Sequence, residues 1–224
     1  MIKAILFDID NTLVDFMTMK KKSCEAAIEA MRGAGLKMSK QEALKLLYEI
    51  YDKHGIEYQL IFQEFLKKTK GKVDSRLLAH GIIAYRKIRE AHLVPYSSTI
   101  PTLIKLSHKY GLAIISDAPR MQAWLRLVQM HLDRFFDIVI TKGDVKRQKT
   151  HLAPFKAALR QLNIKPEEAL MIGDRIERDI NTAKKLGIKT CFARYGMENP
   201  PESGKSGADF EINDISDLLD LKLE

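Results

Sequence analysis

Cysteine is scarce: Cys24 and Cys191 are the only two, far apart and with no CxxC pair. That excludes a CxxC redox motif and a zinc knuckle, and leaves both thiols as small buried hydrophobes. Long apolar runs are missing as well. No stretch approaches the roughly 18 residues that cross a bilayer, and the first strand-like run meets an acidic motif with no charged, apolar, small-residue leader before it. The expectation is a cytoplasmic protein with no membrane partner. Internal repeats and long low-complexity tracts are also lacking, and residues 198–207, rich in Pro, Gly and Ser, read as a surface loop.

What is present suits a soluble globular chain of 224 residues, 46% hydrophobic and 29% charged. The length allows one large domain, or one domain carrying a smaller insertion. A net charge of +8 and a pI near 9.3 raise the question of nucleic acid. Most of the Lys and Arg alternates with Glu and Asp, however, which favours a solvated surface, and nucleic acid is not an expected partner. Two denser basic clusters, Lys20–Lys22 and Lys142–Lys149, could instead attract an anionic substrate.

The run Lys3–Phe7 is short, mostly apolar and ends abruptly in Asp8, as a buried parallel strand does. Helical spacing follows in Cys24, Ala27, Ile28, Met31, then in Leu44, Leu47, Tyr48, Tyr51, then in Tyr58, Ile61, Phe62, Phe65, with a looser stripe at Leu78, Ile82, Tyr85. After Pro95 helices and strands alternate. Strands are expected at 112–115, 136–140, 169–172, 188–193 and 209–212, with helices at 120–131, 153–162 and 177–186, the last closed by Gly187. This order predicts an α/β fold: a three-layer, Rossmann-like parallel sheet, residues 1–14 and 94–224, interrupted by an all-helical insertion, residues 15–93.

Open parallel sheets bind ligands beyond the carboxyl ends of their strands, so the residues just after each apolar run matter most. The first run ends in Asp8-Ile9-Asp10-Asn11-Thr12, the second in Ser116-Asp117, and the fourth in Gly173-Asp174 followed by Asp179, with Lys149 in between. Any one of these could be a helix cap or a turn. Together they bring four carboxylates, a hydroxyl and an amine to one edge, and crowded carboxylates repel unless a cation neutralises them. Mg²⁺ fits an all-oxygen set, and the absence of His or Cys ligands argues against zinc. With a metal and Lys149 drawing charge from a phosphoryl group, a carboxylate can attack phosphorus.

These motifs resemble those of the haloacid dehalogenase superfamily of phosphohydrolases, in order and spacing from residue 8 to residue 179. The helical insertion resembles the C1-type cap of that family. The resemblance implies that Asp8 is the nucleophile, forming an aspartyl-phosphate, while Asp10 protonates the leaving oxygen and then activates water. It implies that Ser116 and Lys149 hold phosphoryl oxygens, with Thr12 supporting the nucleophile loop and counted with the phosphate-binding residues. It further implies Mg²⁺ ligation by Asp8, the Asp10 carbonyl and Asp174, with Asp179 acting directly or through water. The acid at Asp10 favours phosphate esters over organohalides, because a halide leaving group needs no proton.

The chain departs from the family pattern in three places. Asn11 stands where Gly is common; Lys149-Thr150-His151-Leu152 lacks the prolines of Lys-Pro-x-Pro, which keeps Lys146 as an alternative; and Asp117 stands where Asn is frequent. The expected activity is Mg²⁺-dependent hydrolysis of a small phosphorylated metabolite. A phosphomutase of the same superfamily and a receiver-like phosphoacceptor module are the competing readings. The sequence specifies neither the substrate nor an oligomeric state, and Tyr51, Tyr58 and Met17 are core positions more often than substrate contacts.

Overall fold

In the computed structural model, which describes residues 1–223, the chain divides into two compact units: Met17–Leu93, and Met1–Phe16 together with the chain from Val94 onward. The second is built on a six-stranded sheet of β1 (Ala4–Phe7), β2 (Gly111–Ser116), β3 (Ile138–Thr141), β4 (Ala169–Gly173), β5 (Lys189–Ala193) and β6 (Phe210–Ile212). All neighbours are parallel, in the order β3-β2-β1-β4-β5-β6. Strands covered on both faces read as unbroken apolar runs, and β1 (Ala-Ile-Leu-Phe) and β4 (Ala-Leu-Met-Ile-Gly) are buried along their whole length. One face packs Leu6, Ala113, Ile115, Ile140 and Met171 against Phe155, Ala158 and Leu159 of a helix at Ala153–Leu162. No helix among the described residues is long and apolar enough to cross a membrane.

The strand order positions the site. From β1 the chain moves outward through β2 and β3, then returns to place β4 on the other side of β1. The crevice at that reversal lies beyond the carboxyl ends of β1 and β4, where such sheets bind ligands. Phe7 pairs with Ile172, so Asp8 and Asp174 emerge side by side at this crevice. Ser116 closes β2 on the other flank of β1.

The other unit is all helical: α1 (Phe16–Gly33), α2 (Lys40–His54), α3 (Ile61–Lys70) and α4 (Ser75–His92). Its core joins Cys24, Ala27, Ile28 and Met31 of α1 to Leu47 and Tyr51 of α2 and Ile61, Phe62 and Phe65 of α3. A capping box starts α2, where the Ser39 hydroxyl accepts from the Glu42 N–H and the Glu42 carboxylate accepts from the Ser39 N–H. Gly81, mid-helix in α4, packs against the Met31 side chain, whose Cε lies 2.1 Å from where a Cβ would stand.

Three expectations change. Tyr58 precedes α3 and stacks on His54 (4.5 Å between ring centroids), so the third stripe begins at Ile61. Lys20, grouped with Lys21 and Lys22 in a basic cluster that could attract an anionic substrate, is buried where those two are exposed, with its ammonium 4.5 Å from the Tyr51 ring and 5.5 Å from that of Tyr85. The single helix expected at 177–186 is a wide π turn, Ile176–Ile180, running into a short α-helix, Asn181–Lys184, ended by Gly187 at φ 81°. Such turns recur where a helix must re-aim a side chain, and here the turn carries Asp179.

Candidate active site

The loop Asp8–Thr12 follows β1. Its fourth residue, Asn11, has φ 60°, a left-handed conformation that explains why Gly is common there and why Asn, the next most tolerant residue, can replace it. The loop is held from behind by the turn after β5. The Tyr195 hydroxyl donates to the Thr12 carbonyl at 2.8 Å, and Gly196 lies so close that a Cβ would stand 2.0 Å from the Asn11 carbonyl oxygen and 2.7 Å from Asp174 Cβ. Thr12 itself is wholly buried.

Asp8, Asp174 and Asp179 each present a carboxylate oxygen, and these oxygens lie within 4.8 Å of one another. All three residues are buried. Gly173 permits the approach, because a Cβ there would fall 2.2 Å from Asp179 Oδ2. Asp179 is further fixed by the Arg175 N–H, which donates to Oδ2 at 3.0 Å. Three hard anionic oxygens so close together suit an oxygen-preferring divalent cation such as Mg²⁺, and no imidazole or thiolate belongs to the cluster.

Lys149 is the internal counter-charge. Its Nζ lies 2.7 Å from Asp8 Oδ1 and 2.6 Å from Asp179 Oδ1, with its side chain 3% exposed. Burial alone would favour the neutral amine, but Asp179, Asp8 and Asp117 outweigh it and hold Lys149 protonated well above its ordinary range. The carboxyl of Asp174 is pushed up, by burial first and then by repulsion from Asp8 and Asp179, with Arg175 and Lys149 opposing. Asp179 is raised too, chiefly by burial, against the pull of Lys149. Without a metal, the cluster holds protons that a free aspartate would have lost.

The partners of Asp117 account for its charge. The Lys149 N–H donates to Asp117 Oδ1 at 2.7 Å, the contact an Asn oxygen would also make, while Arg178 lies 3.4 Å from Asp117 Oδ2 and balances the extra charge. Lys146 is exposed, in a left-handed turn, and Lys149 is the lysine that reaches the carboxylates. Ser116 is buried at the end of β2, its hydroxyl accepting from the Ala118 N–H at 3.2 Å. Asp10 stands apart from the three-carboxylate cluster. Its Oδ2 is 2.7 Å from a nitrogen of Arg126, a residue that the sequence reading passed over. Arg126 interrupts the buried stripe of its helix, α5 (Arg120–Gln129), between Ala123 and Leu127. A charge at a buried helical position was the signal available.

Comparison with known proteins identifies the family. The haloacid dehalogenase-like hydrolase family matches residues 5–193. The glyceraldehyde 3-phosphate phosphatase of Methanocaldococcus jannaschii is 34% identical over 99% of this chain and 97% of its own. Among solved structures, a haloacid dehalogenase-type phosphatase from Thermococcus onnurineus superposes with a TM-score of 0.73 at 26% identity, covering 98% of this chain and 97% of its own. The hydrolase YfnB of Bacillus subtilis, crystallised with magnesium, superposes with a TM-score of 0.72 at 20% identity, over 98% of this chain and 97% of its own. Fold, motif order and relatives of similar length agree, and the chain belongs to the haloacid dehalogenase-like hydrolases.

Proposed function

We propose that the chain is an Mg²⁺-dependent phosphatase that hydrolyses a small phosphorylated metabolite through an aspartyl-phosphate on Asp8. The observation that carries this reading is the convergence of Asp8, Asp174 and Asp179 within 4.8 Å, with the Lys149 ammonium against Asp8. Asp8, Asp174, Asp179 and the Asp10 carbonyl would hold the cation. Once bound, Mg²⁺ supplies positive charge that offsets the repulsion between a carboxylate and a phosphoryl group.

The chain's own groups divide the remaining work. An Asp8 oxygen attacks phosphorus, and the bond to the leaving oxygen breaks as that oxygen takes a proton from Asp10. Water then attacks the aspartyl-phosphate, Asp10 accepts the water proton, and the phosphorus–Asp8 bond breaks to release inorganic phosphate. Lys149 and the Ser116 hydroxyl hold the phosphoryl oxygens, and Thr12 keeps the loop in shape. In this reading the helical unit acts as the cap that chooses among phosphate esters.

Glyceraldehyde 3-phosphate, named for the Methanocaldococcus relative, is the first substrate to assay. The test is steady-state phosphate release from it and from a panel of sugar phosphates, nucleotides and phosphorylated acids, with Mg²⁺ and with EDTA. Repeated turnover that EDTA abolishes is expected. Turnover undiminished by EDTA, or stoichiometric labelling without turnover, would overturn the proposal.

A further inference from the structure

Arg126 is 6% exposed on the inward face of α5, where an apolar residue would complete the stripe of Ala123 and Leu127. A guanidinium taken from water needs partners. One partner is the Asp10 carboxylate at 2.7 Å, and another is the face of Phe16, whose ring centroid is 4.4 Å from the guanidinium carbon. Stability alone is a poor reason for such an arrangement, because a buried ion pair is often matched or bettered by well-packed apolar side chains. Geometry is a better one. A carboxylate turns easily about its last torsion, whereas a planar guanidinium stacked on a ring offers its donors in a fixed direction.

We infer that Arg126 is a positioning residue for phosphoryl transfer: stacked on Phe16, it grips Asp10 by Oδ2 and fixes the orientation in which that carboxyl exchanges a proton with the leaving group. The inference rests on the reading of Asp10 as the acid and base of the reaction proposed above. In this role Arg126 acts by keeping the Asp10 carboxyl in place.

The consequence depends on the leaving group. An alkoxide must be protonated as it departs, whereas p-nitrophenolate leaves unaided. General acid catalysis is worth about 10²–10⁴-fold, and small displacements of a catalytic group cost about 10²-fold. Arg126→Met should therefore slow single-turnover release of an alkyl leaving group, such as that of glyceraldehyde 3-phosphate, by about 10²-fold. Release of p-nitrophenolate in the same format should slow by less than about tenfold, with little change in KM for either ester. Arg126→Lys, which keeps the charge but loses the planar fork, should show the same selectivity at smaller size and serves if the Met variant does not fold.

Equal losses with both esters would overturn the inference and make Arg126 a packing residue, and unchanged rates in both variants would overturn it too. Asp8→Asn is run alongside: activity surviving in that variant removes the underlying reaction, whereas an inactive Asp8→Asn beside unselective Arg126 variants removes this inference alone.

Discussion

Replacing Lys149 by Met exposes the electrostatics of the cluster more clearly than any other change. The Met side chain roughly fills the same volume, but the cation 2.7 Å from Asp8 and 2.6 Å from Asp179 is gone. Removing one partner of a buried pair costs about 3–5 kcal/mol, because the remaining charge is left without compensation. For a chain of this length each kcal/mol lowers Tm by about 2–4 °C, so the metal-free variant should melt roughly 6–20 °C below the parent at pH 8. The cost must shrink at low pH. Carboxyls whose folded-state pKa is raised bind protons that the unfolded chain has lost, and proton uptake relieves the uncompensated charge. At pH 5 the difference in Tm should be less than about half its value at pH 8. Added Mg²⁺ should recover part of the loss at pH 8 by supplying the missing positive charge. Thermal melts in EDTA and in Mg²⁺ at the two pH values decide the matter. A loss under about 2 °C at pH 8, or an equal loss at both pH values, would refute the argument.

Other consequences can be checked independently. With Asp174 and Asp179 raised in the fold, the metal-free parent should lose stability as pH climbs from about 5 towards 8; Asp174→Asn should flatten that slope in urea titrations in EDTA, and an unchanged slope would contradict the assignment. Gly196→Ala forces a methyl towards the Asn11 carbonyl and Asp174, at about 1–3 kcal/mol by analogy with overpacked cores; a variant with parental Tm and kcat would show that the loop is not held as described. Ser39→Ala removes the α2 capping box and should cost the helical unit about 1 kcal/mol. Faster amide exchange at Glu42 would report it, and unaltered exchange would count against it.

The succession of strands along the chain and the polar residues at three of their ends were legible in the sequence because both follow from burial. A parallel strand covered on two faces must be apolar throughout, so its last apolar residue marks the edge where Asp8, Ser116 and Asp174 emerge. What escaped depends on angles that spacing does not carry. The π turn at Ile176–Ile180 cannot be told from an α-helix by periodicity, yet it aims Asp179 back at Lys149. Tyr58 kept helical phase with α3 while lying outside it, because phase says nothing about where a helix starts. Arg126 lay within the helix expected at 120–131 with no mark in the spacing to single it out. Gly196 gave no sign at all, since nothing local requires a glycine there. Only the packing of the turn after β5 against the nucleophile loop does.

The central claim is that Asp8 itself becomes phosphorylated. The protein is mixed with Mg²⁺ and a radiolabelled phosphate ester, quenched in acid within the first turnover, digested and mapped. A single hydroxylamine-sensitive phosphoryl group on the peptide carrying Asp8, absent from Asp8→Asn, is the expected result. Label on another residue, or turnover that persists in Asp8→Asn, would contradict it.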